Sequence, residues 1–234
     1  MARTKMATLW LVGLGLATIV HNARGEDFYY AIVFGSQSRP KLLQYTHTWA
    51  TFIRAVGDGA DANNYTVYQH TISWLPDTLD VRTWSLLPER GVNLDLYQTL
   101  EAVGRDRERV TMWGPFRIQQ AVYERSLRVK EILDSGHAEY RAISTPRNLL
   151  VSDCIHAVAA VDPVFGRNHY PLIRVGNPAS RYIARQVMTR SAFDQWQSDN
   201  SWLIPRLGLD RYPIQVIPPQ QIPKRSCFLC KLAD

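Results

Sequence analysis

The sequence predicts an α+β fold in which a small antiparallel sheet packs against helices. Three observations carry this expectation. Residues 27–37, 46–56 and 65–75 are rich in β-branched and aromatic side chains and are divided by turn formers. Residues 116–133 place Ile118, Val122, Val129, Ile132 and Leu133 on one helical face, with charges elsewhere. Strands come first, then helices, then a strand and a helix, an order that suits segregated elements.

Taken in turn, "DFYYAIVFGSQ" (27–37) reads as a strand ending at Gly35. "THTWATFIRAV" (46–56) is a second strand and "YTVYQHTISWL" (65–75) a third, stopped by Pro76. "GDGADANN" (57–64) is dense in turn residues, so the last two flank an antiparallel hairpin with a longish loop. "LDLYQTLEAVGRD" spaces Leu94, Tyr97, Leu100 and Val103 as a helix does. "RVTMWGP" (109–115) is a short strand stopped by Gly-Pro, and the helix of 116–133 ends at "DSGH", with Gly136 as its C-cap. "AEYRAIS" (138–144) is a further strand, a helix begins at Ser152, and "SRYIARQVM" is another. From Pro205 the Pro-rich chain reads as extended.

The domain plan is a leader at 1–25, one α+β domain at 26–204 and a Pro-rich extension at 205–234. Arg3 and Lys5 precede an uncharged apolar stretch, Met6 to Val20, too short to span a bilayer comfortably. Ala23 and Gly25 then have the spacing of a signal-peptidase site, so cleavage before Glu26 and a periplasmic or secreted location are expected. No later segment is apolar enough to cross a membrane. Beyond the leader, 24 basic residues face 21 acidic ones, a net charge of +3. They are scattered, with no basic stripe interleaved with aromatics, which argues against nucleic acid as a partner. Export makes a cell-wall peptide or an envelope lipid the reasonable substrate.

Three cysteines is an odd number for an exported chain. Cys227 and Cys230, in "CFLC", follow a Pro-rich run rather than a strand, so a local disulfide or an irregular tail suits them better than redox chemistry. Cys154 is then left over. Ser152 or Asp153 can cap the helix behind it, which puts Cys154 in the first turn. Free N–H groups and the helix dipole there favour a thiolate and can hold an oxyanion, whereas the neighbouring Asp153 opposes ionisation. The opposing reading is a small core residue.

A thiol nucleophile needs a base held by a third polar group. Of the histidines beyond the leader, His47 and His70 lie on the hairpin strands, His137 in a turn, His156 on the Cys154 helix in a packing or structural role, and His169 on a loop as a reserve. A simple hairpin count sets His47 and His70 about four residues apart, roughly 13 Å at strand rise, unless a bulge closes the gap.

The motifs "THTWATF", "QHTISWLP" and "SDCIHAV", in that order, resemble the circularly permuted branch of the NlpC-type papain-like thiol hydrolases, which includes the lecithin-retinol acyltransferase group. "HTISWLP", "MWGP" and "CIHAV" also resemble uncharacterised exported bacterial proteins. The first resemblance implies a permuted papain-like fold in which Cys154 attacks an amide or ester, His47 moves the proton and His70 orients His47, with no cofactor. Two other readings stand beside it. One is a non-catalytic exported binding or structural domain with Cys154 in its core and the tryptophans forming a core or groove. The other is zinc held by His47, His70 and Cys154, which lacks the short local spacing of most zinc sites.

Overall fold

The computed structural model describes residues 26–58, 61–144, 149–162, 175–185 and 198–222. The leader, His169, Cys227 and Cys230 lie outside them.

The α+β expectation holds, with mixed sheets packed on helices. The main sheet has the order β3-β2-β1-β6-β9, from β1 (Glu26–Gln37), β2 (Thr46–Gly57), β3 (Thr66–Ile72), β6 (Arg109–Arg117) and β9 (Ile214–Ile217). All its pairs are antiparallel except β6 with β9, which run parallel. The Pro-rich segment read as an extension therefore contributes an edge strand. A short helix, Leu203–Arg206, precedes it.

Alternation along the strands sorts two cores. Ala31 and Val33 of β1 with Ala50 and Phe52 of β2 face one side, covered by α2 (Gln120–Asp134), α3 (Cys154–Ala159) and α4 (Asn177–Ile183). Ile32 and Phe34 with Trp49 and Ile53 face the other, covered by α1 (Leu96–Arg105) and the C-terminal helix. Buried on both faces, β1 reads as an almost continuous apolar run, which is why it was legible as a strand.

The third expected strand is really two. The chain leaves the main sheet after Ile72, and β4 (Trp74–Pro76) starts a second sheet of order β4-β5-β7-β8. Its other members are β5 (Glu89–Asn93), β7 (Glu139–Tyr140) and β8 (Val151–Ser152). The switch is fixed at Ser73, whose N–H donates to Asn93 Oδ1. Further differences are local. Strand β6 continues through Gly114-Pro115 to Arg117, so α2 starts at Gln120 rather than 116. The strand expected at 138–144 shrinks to Glu139–Tyr140, and Ser135 caps α2 with Gly136 at positive φ beyond it. Gly35 has no Cβ to overlap the Ser180 hydroxyl, which lets α4 lie close on β1.

Candidate functional site

Asp153 is the cap of α3, and Cys154 is its first residue. Strand β8 delivers the chain there. It pairs with β7, and the buried Trp74 donates its Nε1–H to Ser152 O at 3.2 Å. Asp153 Oδ1 accepts from the backbone N–H groups of Ile155 and His156, each at 2.8 Å. Its Oδ2 accepts from Ser144 Oγ at 2.8 Å and lies 2.6 Å from His156 Nδ1. Ser144 Oγ is also 2.9 Å from His156 Nδ1 and accepts from the Asp153 N–H at 3.0 Å. Because Ser144 spends its one proton on Asp153, the proton between the ring and the carboxylate belongs to His156 Nδ1. One carboxylate thus caps the helix and sets the tautomer and orientation of a buried imidazole.

This cluster floors a cavity of about 340 Å³. Its walls are mainly apolar, including Leu43, Val81, Ala142, Ile143 and Val175, with Trp84 79% exposed at the edge. Its polar lining is Cys154, Asp153 and His156 at the start of α3, Tyr140, whose phenol is near enough to feel the Cys154 and Asp153 charges, and Thr46 and Thr83. Burial pushes the Tyr140 phenol well up, so it stays a protonated donor.

The cysteine itself is not activated. Burial first, and the Asp153 charge second, push its thiol up to about 12. Backbone N–H groups of Thr48, Cys154 and Ile155 pull the other way without overcoming that. Against the helix-start effect expected from sequence, desolvation wins.

His47 and His70 do not meet Cys154 or each other. His47 stacks on Trp49 on the α1 side of the sheet, while α3 covers the opposite side. Its Nε2 pairs with Ser73 Oγ at 2.9 Å, its Nδ1 has no hydrogen-bond partner, and it borders a different cavity. Burial pushes its pKa down to about 3. His70 pairs across the sheet with Phe52, five positions along β2 from His47 and on the other face. It lies under α2, with Nε2 2.7 Å from Ser126 Oγ, and burial, then the Lys130 charge, lower it to about 4. The register carries no bulge between β2 and β3 that would close the gap.

Comparison with known proteins finds no matching family model, no similar curated protein and no similar solved structure. The site rests on its own geometry. Among the described residues no three His, Cys, Asp or Glu side chains are grouped as a metal site would require, and no helix is long and apolar enough to cross a membrane. His156, expected in a packing or structural role, is bonded to the capping Asp153 and also lines the cavity, a site position that sequence reading did not give it. The available signal was its place three residues after the cap, the position from which a polar side chain reaches back to the cap residue.

Proposed function

We propose that the protein is a binding domain whose site is the Cys154 cavity, and that its ligand has a small apolar body with one hydrogen-bonding end. One observation carries this reading: a cavity of about 340 Å³ with mainly apolar walls and a cluster of polar side chains, Asp153, Cys154 and His156, at the start of α3. That is the form of a small-molecule pocket, where apolar area supplies affinity and a few polar groups fix orientation. The Asp153–His156 pair is held by its own hydrogen bonds, so a ligand meets a pre-ordered floor and loses little in ordering it. n-Octanol titrated into the protein, followed by tryptophan fluorescence and calorimetry, tests this. Saturable binding that disappears in Ala142→Trp, whose indole fills the cavity, supports the reading. Binding that is absent, or equal in that variant, removes it.

Thiol hydrolysis or acyl transfer is the second reading, favoured by the sulfur lying beside three backbone N–H groups at the cavity floor. It needs a different base from the one the sequence pointed to. His156 shares the cavity with Cys154, whereas His47 borders another. Under this reading an amide or ester substrate gives up its leaving group after attack by Sγ. His156→Gln then abolishes turnover while His47→Gln leaves it.

A further inference from the structure

A second cavity, of about 180 Å³, lies beside the first and shares Thr46 and Val81 with it as a partition. Leu75, Ala102 and Val103 make its apolar part, while His47, Asp106 and Glu108 border it. Two buried polar atoms there are left without hydrogen bonds, His47 Nδ1 and Glu108 Oε2. His47 is only 3% exposed, so water does not compensate its idle nitrogen from outside. Buried polar atoms are normally paired, and an orphan in a cavity wall marks where a ligand group fits.

We propose that this cavity binds a small organic cation, a primary ammonium on a body of a few heavy atoms, with the Glu108 carboxylate as counter-charge and His47 Nδ1 as hydrogen-bond acceptor. The charge pattern selects the sign. Arg105 and Asp106 at the rim are both exposed and opposite in charge, which leaves the half-buried Glu108 carboxylate as the charge that an anion would meet. His47 stays neutral because burial holds its pKa near 3, so it does not repel a cation. Its Nε2–H can donate to Ser73 Oγ, which frees the Nδ1 lone pair to accept from the ammonium. Burial, and to a lesser extent the Asp106 charge, push Glu108 up to about 7. Ser36 pulls in the other direction, though its hydroxyl makes no hydrogen bond of good geometry. A half-buried carboxylate with one buried, unpaired oxygen is what a bound ammonium stabilises.

Full-length protein is titrated with ethylammonium chloride, with sodium acetate and ethanol as controls, and the His47 imidazole resonances are followed by NMR. The expected result is saturable binding of ethylammonium alone at pH 8. Affinity should fall roughly fifty- to a hundredfold at pH 5, because a carboxyl of pKa about 7 is about one-hundredth ionised there. Glu108→Gln, a near-isostere whose folding is checked by its own melting curve, should bind at least tenfold more weakly at pH 8 and show no pH dependence. Absence of a saturable shift overturns the proposal. So does acetate or ethanol binding as well as ethylammonium, or Glu108→Gln binding unchanged.

Discussion

Replacing Asp153 by alanine removes four interactions that one carboxylate makes at once. Two are backbone N–H bonds at the start of α3, the kind of cap whose loss costs about 1 kcal/mol. The others are the bonds from Ser144 and His156, where the acceptor is charged and both partners are buried. Charge-assisted bonds contribute about 1.5–3 kcal/mol each, but Ser144 and His156 can still bond each other, so only part of that is lost. Relief of the carboxylate's own desolvation offsets a further share. The net expectation is about 3 kcal/mol, or a fall in Tm of about 6–12 °C for a domain of this size. Asp153→Asn keeps a cap oxygen and gains an N–H donor for Ser144, so it should lose about 1–2 kcal/mol. Urea unfolding of both variants at pH 7, with octanol binding as a second readout, measures the order. An alanine variant within 1 kcal/mol of the parent refutes the claim that this carboxylate organises the cavity floor, as does an asparagine variant no better than alanine.

Acidification should destabilise the fold through its buried histidines. His47 at about 3 and His70 at about 4 lie below the unfolded value of 6.5, so the unfolded chain binds more protons. Their contribution is present above pH 6.5 and lost as pH falls towards 4, about 3 kcal/mol for His47 alone. His47→Gln should flatten the urea-derived stability profile over that window, and an unchanged slope counts against the assignment. Glu108 acts with the opposite sign, because a raised carboxyl pKa favours folding at low pH and the benefit disappears as pH rises through about 7. Glu108→Gln should therefore gain about 1–2 kcal/mol on its parent between pH 5 and pH 8, after allowance for partial exposure, and a loss over that interval contradicts it. Gly91 packs against the fully buried Trp74, and an added Cβ would overlap the indole ring. Gly91→Ala should cost about 1–3 kcal/mol in the same assay, and a cost below 0.5 kcal/mol would show that the ring is free to move.

Much of the main sheet was legible because its strands are long and carry their own signal. Strand β1 is buried on both faces and β2 alternates cleanly between two cores, so apolar periodicity located both to within a residue or two. The break at Ser73 was hidden because "HTISWLP" is β-prone throughout. Only the Asn93 side chain, twenty residues on, fixes where the chain changes sheet. Strand β9 was missed because an edge strand of four residues in a Pro-rich run has no periodicity to read, and its pairing with β6 is a long-range contact. At the site, the cap and helix start at Cys154 were local and could be found. Which face His47 takes was not. Side-chain period in a strand is two, and a single-position choice between Thr48 and His47 decides which cavity the ring borders. The thiol's pKa also depends on burial by distant segments, which local sequence does not report.

The central claim is that Cys154 is a buried wall of a ligand cavity and its thiol is unactivated. Its alkylation rate with iodoacetamide, taken from pH 5 to 10 with and without n-octanol in a variant lacking Cys227 and Cys230, tests this directly. The account predicts slow alkylation that still climbs at the top of the range, in keeping with a thiol near 12, and saturable protection by octanol. A plateau with an apparent pKa below about 8.5, the value of a free cysteine, together with alkylation that octanol leaves unchanged, would contradict it.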